Sequence, residues 1–214
     1  MATPVWVPSW QHEDVEFEKT NLSYKGFYSV QQLRLRHKCF SGEWSPWLLR
    51  EQVSHSDAAA VLLVDPQQQK LVLVEQFRVG MLGREQTSPW LLEIVAGLLE
   101  PGEKPEETVI REAIEEANCQ ILQLFPIGEF YNTPGGFAEK TTLFCGIVNA
   151  TGVGGIHGIG TEHEDIRVHV LDVQAVLAAL ENGSFLTSSS TMIALQWLAL
   201  NTKNGHLEQQ MLKG

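Results

Sequence analysis

The chain has 214 residues, which suits one large domain or one domain with a small accessory one. Its formal net charge of -11 argues against a nucleic-acid binder, which needs a basic face. No secretory signal is visible, and no stretch approaches the ~18 apolar residues of a membrane span. Three cysteines without C-x-x-C spacing are typical of reduced thiols, so a cytoplasmic protein is expected.

Residues 1–55 are predicted to form short strands, with FYSVQQLRLRHK and WLLREQV as extended segments. This segment is small for an independent domain, so we expect it to pack on something else, such as a second subunit. From about residue 56, the runs AAAVLLVD and KLVLVEQFRV predict a hairpin closed by PQQQ. The next run, PWLLEIVAG (89–97), predicts one further buried strand.

A helix is predicted at about 105–117, followed by the strands LQLFPIGEFYN, KTTLFCGIVN and DIRVHVLDV and by two helices. The first of these two begins after Asp172 and ends at Gly183, both favourable cap residues. The pattern predicts an α+β fold, an α/β/α sandwich whose mixed sheet is flanked by helices, with a small N-terminal antiparallel sheet. The expected domains are 1–55 and 56–214.

The helix at 105–117 is crowded with glutamates. Its first turn begins at Pro105, preceded by Lys104, an unusual N-cap because it has no side-chain acceptor. The apolar positions predict a buried stripe of Ile110, Ala113, Ile114 and Ala117.

The charged positions of this helix divide into two sets. Glu107, Arg111 and Glu115 are spaced by four and are predicted to pair along one edge. Glu112 and Glu116 are also four apart, but no positive residue lies one turn beyond either of them. Such a pair fits either a solvated acidic face or a divalent-cation site, and spacing alone leaves both open.

The segment GLLEPGEKPEETVIREAIEEANC, from Gly97, resembles the Nudix box, G-x5-E-x7-R-E-U-x-E-E-x-G-U, where U is apolar. One position departs, because Asn118 replaces the last glycine; a left-handed backbone is expected there, for which Asn is the usual second choice. Every charged position of the box is matched, by Glu103, Arg111, Glu112, Glu115 and Glu116.

The resemblance implies a strand–loop–helix that holds Mg2+, or Mn2+ as a substitute, against a pyrophosphate. It implies Glu112 and Glu116 as the main ligands, with the Ala96 carbonyl as a further one. Arg111 and Glu115 are the expected supporting residues of the catalytic machinery, with Glu115 as ligand or orienting group. Glu103 is expected to hold the loop.

The segment FYNTPGGFAEK follows, and a proline about 15 residues after the box is typical of the ADP-ribose pyrophosphatase branch of the family. The resemblance implies a rigid turn at Pro134 and Gly135 whose backbone approaches the terminal ribose. An ordinary Pro-Gly turn is the alternative reading. The segments GIHG, EDIRVHV and SSTMIALQWLAL are similar to the same branch.

Residues 151–164 contain five glycines and are predicted to form a mobile lid, with a passive linker as the alternative. By the resemblance, Glu162 is the expected base that activates water, and Glu164 is the second choice for the base or an additional metal contact. Zinc is not expected, since no third soft ligand stands at a suitable spacing from His157 and His163.

The resemblance further implies a homodimer whose N-terminal strands complete the partner's site, with a nucleoside diphosphate sugar as the ligand. Glu139 is placed near the substrate or the partner. The expected substrate-binding residues are Phe27, Arg50, Arg78, Leu98, Pro134, Gly135 and Glu139.

The implied reaction is Mg2+-dependent hydrolysis of ADP-ribose to AMP and ribose 5-phosphate. One alternative is another nucleotide sugar such as GDP-mannose. A second is a sensor that binds ADP-ribose without hydrolysis, but sensors of this fold usually lose box glutamates and add a DNA-binding domain. This chain retains the glutamates, and no basic helix-turn-helix tail is visible.

Overall fold

The computed structural model describes residues 5–203. The chain divides into two compact units, one made of residues up to His55 with Tyr131–Glu139, the other of Ser56–Phe130 with residues from Lys140 onward. The strands are β1 Val15–Lys25, β2 Ser29–His37, β3 Leu48–Ser54, β4 Ala58–Asp65, β5 Lys70–Phe77, β6 Trp90–Glu93, β7 Val95–Leu98, β8 Gln123–Tyr131, β9 Lys140–Ile147, β10 Gly155–His157 and β11 Ile166–Asp172. The α-helices are α1 Pro105–Ala117, α2 Val173–Glu181 and α3 Ser189–Lys203.

The smaller unit is a three-stranded antiparallel sheet in the order β1-β2-β3. Its residues from the second segment are held by β3, since Val53 N–H donates to Gly136 O (2.8 Å) and Ala138 N–H donates to Val53 O (3.0 Å). Cation–π stacking replaces part of an apolar core: the Arg36 guanidinium lies 4.8 Å from the Trp44 ring centroid and 5.0 Å from that of Trp47.

The larger unit contains an eight-stranded sheet in the order β10-β11-β5-β4-β9-β8, with β6 paired to β5 and β7 to β4. The β4–β9 pair is parallel and β4–β5 is antiparallel, so the sheet is mixed. Alternate residues of β4 enter opposite cores, Val61 with α1 and Leu62 with α2 and α3. Helices therefore cover both faces, and the predicted sandwich with its small antiparallel sheet is confirmed.

The prediction of one strand at 89–97 is wrong. The chain changes partner at Ile94, pairing with β5 before it and with β4 after it. Ile94 N–H donates instead to the Thr191 hydroxyl of α3, at 3.0 Å, which satisfies the buried backbone group at the break.

The predicted buried stripe of α1 is half wrong. Ala113 and Ala117 are fully buried, but Ile110 and Ile114 are 50% and 47% exposed. The buried side is rotated toward Val109, so that the side chain of Glu116 also turns inward. Relative to the predicted stripe, the helix is rotated by about one residue, which places the Glu116 carboxylate beside the sheet. The apolar pattern alone does not predict this position.

Two cap predictions are confirmed. The Asp172 carboxylate accepts from the backbone N–H groups of Gln174 and Ala175, at 3.0 and 3.1 Å, and begins α2. Gly183 follows the helix with a positive φ of 74°. Among residues 5–203, no helix has both the length and the apolar character that crossing a membrane requires.

Candidate metal and substrate site

Helix α1 is capped at both ends by hydrogen bonds that involve backbone N–H groups. At its start the Glu107 carboxylate accepts from Lys104 N–H at 3.0 Å, which is the half of a capping box that does not need an acceptor on the Lys104 side chain. This contact replaces the predicted pairing of Glu107 with Arg111. At its end Asn118 adopts the expected left-handed conformation, with φ 46° and ψ 43°, and Cys119 N–H donates to Ala113 O at 2.9 Å.

Four carboxylates, those of Glu103, Glu112, Glu115 and Glu116, form an acidic cluster, and Arg111 binds three of them. Its guanidinium donates to Glu103 from Nε at 3.0 Å, and Nη1 donates to Glu112 at 2.8 Å and to Glu115 at 2.9 Å. A hydrogen bond from Arg111 lowers the pKa of Glu103 to about 2 and keeps that loop carboxylate charged. Nη2 lies 3.4 Å from the Leu98 carbonyl oxygen, so the arginine also ties the helix to the end of β7.

Glu116 is 2% exposed and is held by two donors from the sheet. Ala96 N–H donates to Oε2 at 3.2 Å, and the Gln76 side chain donates to Oε1 at 3.4 Å. Burial and then the charge of Glu112 raise the pKa of Glu116 to about 8. The carboxylate is therefore destabilised in its charged form unless a cation joins it.

Glu112 occupies the space that Gly97 leaves open on β7. A Cβ at position 97 would come within 1.8 Å of Glu112 Oε1, so only glycine lets this carboxylate lie against the strand. Burial raises the pKa of Glu112 to about 7, although its contact with Arg111 opposes the shift. The absence of a side chain at Gly97 thus allows the Glu112 carboxylate to occupy this position.

The glycine-rich segment reaches this cluster. Gly158 N–H donates to the Glu115 carbonyl at 3.2 Å, and β10 pairs with β11. The Glu164 carboxylate accepts from Ile159 N–H at 3.1 Å, and its charge contributes to the raised pKa values of both Glu112 and Glu116. Glu162 ends a short 3-10 helix, but its side chain lies outside what the structure describes. Movement of a lid stays a prediction.

The chemistry of this cluster fits a divalent cation. The available ligand atoms are oxygens, and burial raises the pKa of both Glu112 and Glu116, with the charge of Glu112 adding to the shift at Glu116; a cation would relieve this. Within residues 5–203, no three His, Cys, Asp or Glu side chains already converge as a closed ligand set. The available ligands are therefore carboxylates that a cation would draw together.

Five of the predicted substrate residues lie in the smaller unit. Three of them, Arg50, Pro134 and Gly135, line one cavity of about 380 Å3. Phe27 is 68% exposed and stacks on His55, with ring centroids 4.3 Å apart. Glu139 accepts from the Asn132 side chain at 3.3 Å. The structure brings the predicted arginine and the proline turn together and places Phe27 in an aromatic cluster with Tyr28.

The other two, Arg78 and Leu98, lie in the larger unit. Arg78 forms an ion pair with Glu93, from Nε to Oε2 at 2.6 Å. Sequence reasoning missed both Glu93 and Gln76. Each is a polar residue within an otherwise apolar strand, and each is almost fully buried. A polar residue in an apolar run was the sequence feature that could have identified both positions.

The comparisons with known proteins agree with this arrangement of fold and acidic helix. The NUDIX domain model matches residues 54–188. The chain is 40% identical over 188 residues to the ADP-ribose pyrophosphatase of Escherichia coli (strain K12), spanning 88% of this chain and 89% of that protein. It is 36% identical over 197 residues to the ADP-ribose pyrophosphatase of Haemophilus influenzae, spanning 91% and 90%.

More distant similarities extend this picture. The GDP-mannose pyrophosphatase of Citrobacter koseri is 32% identical over 149 residues, which span 70% of this chain and 76% of that protein. A crystal structure of an ADP compounds hydrolase superposes with a TM-score of 0.67 at 17% identity, covering 92% of this chain and 100% of that one, and shows the same fold.

The domain match and these relatives, together with an acidic helix packed on a mixed sheet, define the chain as a pyrophosphohydrolase. The chain belongs to the Nudix family, as its box predicted. Nudix hydrolases generally use divalent metal ions.

Proposed function

We propose that this protein hydrolyses the pyrophosphate bond of ADP-ribose, giving AMP and ribose 5-phosphate, with Mg2+ as its cation and Mn2+ as a substitute. The main support is similarity to ADP-ribose pyrophosphatases over 88% to 91% of the chain. That similarity extends well beyond the Nudix box, whereas the GDP-mannose relative is less identical and matches 70% of the chain.

In this proposal Glu112 and Glu116 hold the cation, with the Ala96 carbonyl and Glu164 as further ligands. The bound cation would neutralise charge on the diphosphate and lower the pKa of a bound water. Arg111 keeps Glu112 and Glu115 oriented through its hydrogen bonds of 2.8 and 2.9 Å. Glu162 is our candidate for the base that takes the proton of the attacking water.

The other proposed roles concern the nucleotide and the terminal ribose. Phe27 offers an exposed aromatic ring for the adenine, and Arg50 and Arg78 offer positive charge to the phosphates. Pro134 and Gly135 form the turn that approaches the ribose. Leu98 and Glu139 complete the proposed substrate-binding set.

A product assay on ADP-ribose and GDP-mannose side by side tests the substrate. We expect AMP and ribose 5-phosphate in Mg2+, at a kcat/KM at least about tenfold above that for GDP-mannose, and no product in EDTA. Faster cleavage of GDP-mannose would favour the alternative nucleotide sugar. Calorimetric binding of ADP-ribose without AMP release in Mg2+ would favour the sensor reading instead.

We further propose a cytoplasmic homodimer with a site shared between its subunits. The three-stranded sheet leaves Phe17, Leu22 and Tyr24 more than half exposed on its edge strand β1, an unusual amount of apolar surface for a monomer. Sedimentation velocity is expected to give a mass near twice 23.9 kDa. Replacement of Phe17 and Leu22 by serine is expected to shift the protein toward monomer, and a wild-type monomer at micromolar concentration would contradict the dimer.

A further inference from the structure

Glu93, the last residue of β6, is a buried carboxylate that lies outside the Nudix box. The residue is 5% exposed, and its Oε2 accepts from Arg78 Nε at 2.6 Å. An apolar residue at this position would avoid the desolvation penalty of a buried charge. A charged Glu93 is therefore stable at this position only when it is paired with Arg78, and the pairing in turn fixes the position of the Arg78 guanidinium.

Arg78 follows β5 and is the exposed member of the pair, with 41% of its side chain accessible against 7% for Glu93. Its backbone is also fixed, since Arg78 N–H donates to Pro89 O at 2.7 Å. In the part of the chain that the structure describes, Glu93 is the one side chain that accepts from this guanidinium. A contact through Nε leaves both terminal amino groups available to another acceptor.

Arg78 also lies near the acidic cluster. It follows Gln76 by two residues, and the Gln76 side chain donates to Oε1 of Glu116, the proposed metal ligand, at 3.4 Å. An arginine held by its Nε beside the acidic cluster presents its two terminal amino groups in the fork geometry by which arginine recognises phosphate oxygens.

We propose that Glu93 is a positioning residue, which orients Arg78 so that its terminal amino groups meet the diphosphate of the substrate. The inference rests on the proposed function, because it takes the diphosphate of the substrate as the hydrogen-bond acceptor for the terminal amino groups of Arg78. Glu93 acts through Arg78 and does not touch the substrate. Without the carboxylate, the arginine side chain populates several rotamers, and part of the binding free energy is lost in ordering it.

The test is Glu93→Gln, which preserves shape and removes the charge. We expect the KM for ADP-ribose in saturating Mg2+ to rise about tenfold, as for loss of one charge-assisted hydrogen bond, and kcat to change by less than about threefold. The matched control is Glu75→Gln on the neighbouring strand β5, a glutamate that pairs with His169 at 2.8 Å. That control is expected to leave both constants unchanged.

A double-mutant cycle separates positioning from folding. In an Arg78→Gln background, Glu93→Gln is expected to add less than about twofold to KM, since the residue acts through the arginine. Independent, multiplying effects would overturn the proposal, as would an unchanged KM in the single variant. If Glu93→Gln does not fold by circular dichroism, Glu93→Asp keeps the charge and withdraws the carboxylate. The aspartate variant is expected to raise KM in the same direction, and a wild-type KM would overturn the proposal.

The two hypotheses fail in different ways. A wild-type enzyme that does not cleave ADP-ribose contradicts the proposed function before any variant is compared. Normal cleavage by the wild type together with an unchanged KM in the Glu93 variants contradicts the positioning role alone.

Discussion

Glu116→Gln is expected to lower the kcat for ADP-ribose by on the order of 10^3-fold while the protein remains folded. The carboxylate is 2% exposed and is held by Ala96 N–H and the Gln76 side chain, so an amide of the same shape fits the space. The amide has no charge with which to bind a divalent cation. Glu112→Gln is expected to act in the same direction, since that carboxylate belongs to the same cluster.

Direct measurement of metal binding separates the roles within this set. Mn2+ binding, followed by electron paramagnetic resonance, is expected to weaken in Glu112→Gln and Glu116→Gln and to remain in Glu162→Gln, although all three lose turnover. Glu106→Gln, on the exposed first turn of the same helix, is the control and is expected to behave as wild type. Near-normal turnover of the first two variants in saturating Mg2+ would show that the metal assignment is wrong. A normal maximal rate for Glu162→Gln would place the base elsewhere.

Local patterns predicted the parts of this molecule that depend on neighbouring residues in sequence. The helix at 105–117, its stop at Asn118 and the cap at Asp172 are set by backbone preferences within a turn or two, and the structure has all three. The clustering of Arg111 with Glu115 follows from their spacing of four on the helix.

Contacts between distant segments were not predictable in the same way. The apolar residues of α1 allow two rotations against the sheet, and the one adopted exposes Ile110 and Ile114 because packing on β7 selects Val109 and Ala113. The break at Ile94 depends on a threonine 97 residues later in the chain. Single-sequence periodicity contains no information on either partner.

The site shows the same division. The box indicated which carboxylates belong together, but not that Gln76 of β5 would donate to Glu116 or that Gly97 would leave room for Glu112. Both facts arise where strands and helix pack. A polar residue inside an apolar strand indicates that a buried hydrogen bond forms at that position. The sequence does not show which residue is the partner.

The metal-free protein is expected to lose stability as the pH rises from about 5 to about 9. Folding raises the pKa of Glu112 from 4.5 to about 7 and that of Glu116 from 4.5 to about 8. Between these limits the folded state binds more protons than the unfolded state, so the stabilising contribution is complete below pH 4.5 and is lost as pH rises through 7 and 8. The two shifts act in the same direction, so the Tm is expected to fall by at least several degrees across this range.

Thermal unfolding in EDTA at pH 5.5, 7 and 8.5, followed by circular dichroism, measures this loss. Groups with lowered pKa values, Asp65, Glu103 and Glu129, act in the opposite sense but only below about pH 4.5, outside this window. Glu116→Gln has no such charge to bury, so in EDTA at pH 8.5 the inactive variant is expected to melt above the wild type. Saturating Mg2+ is expected to reverse that order, because a cation bound by the folded state alone stabilises the wild type and not the variant. A wild-type Tm that is independent of pH in EDTA would mean that these carboxylates do not carry buried charge, and the physical reason for placing the cation between them would be lost.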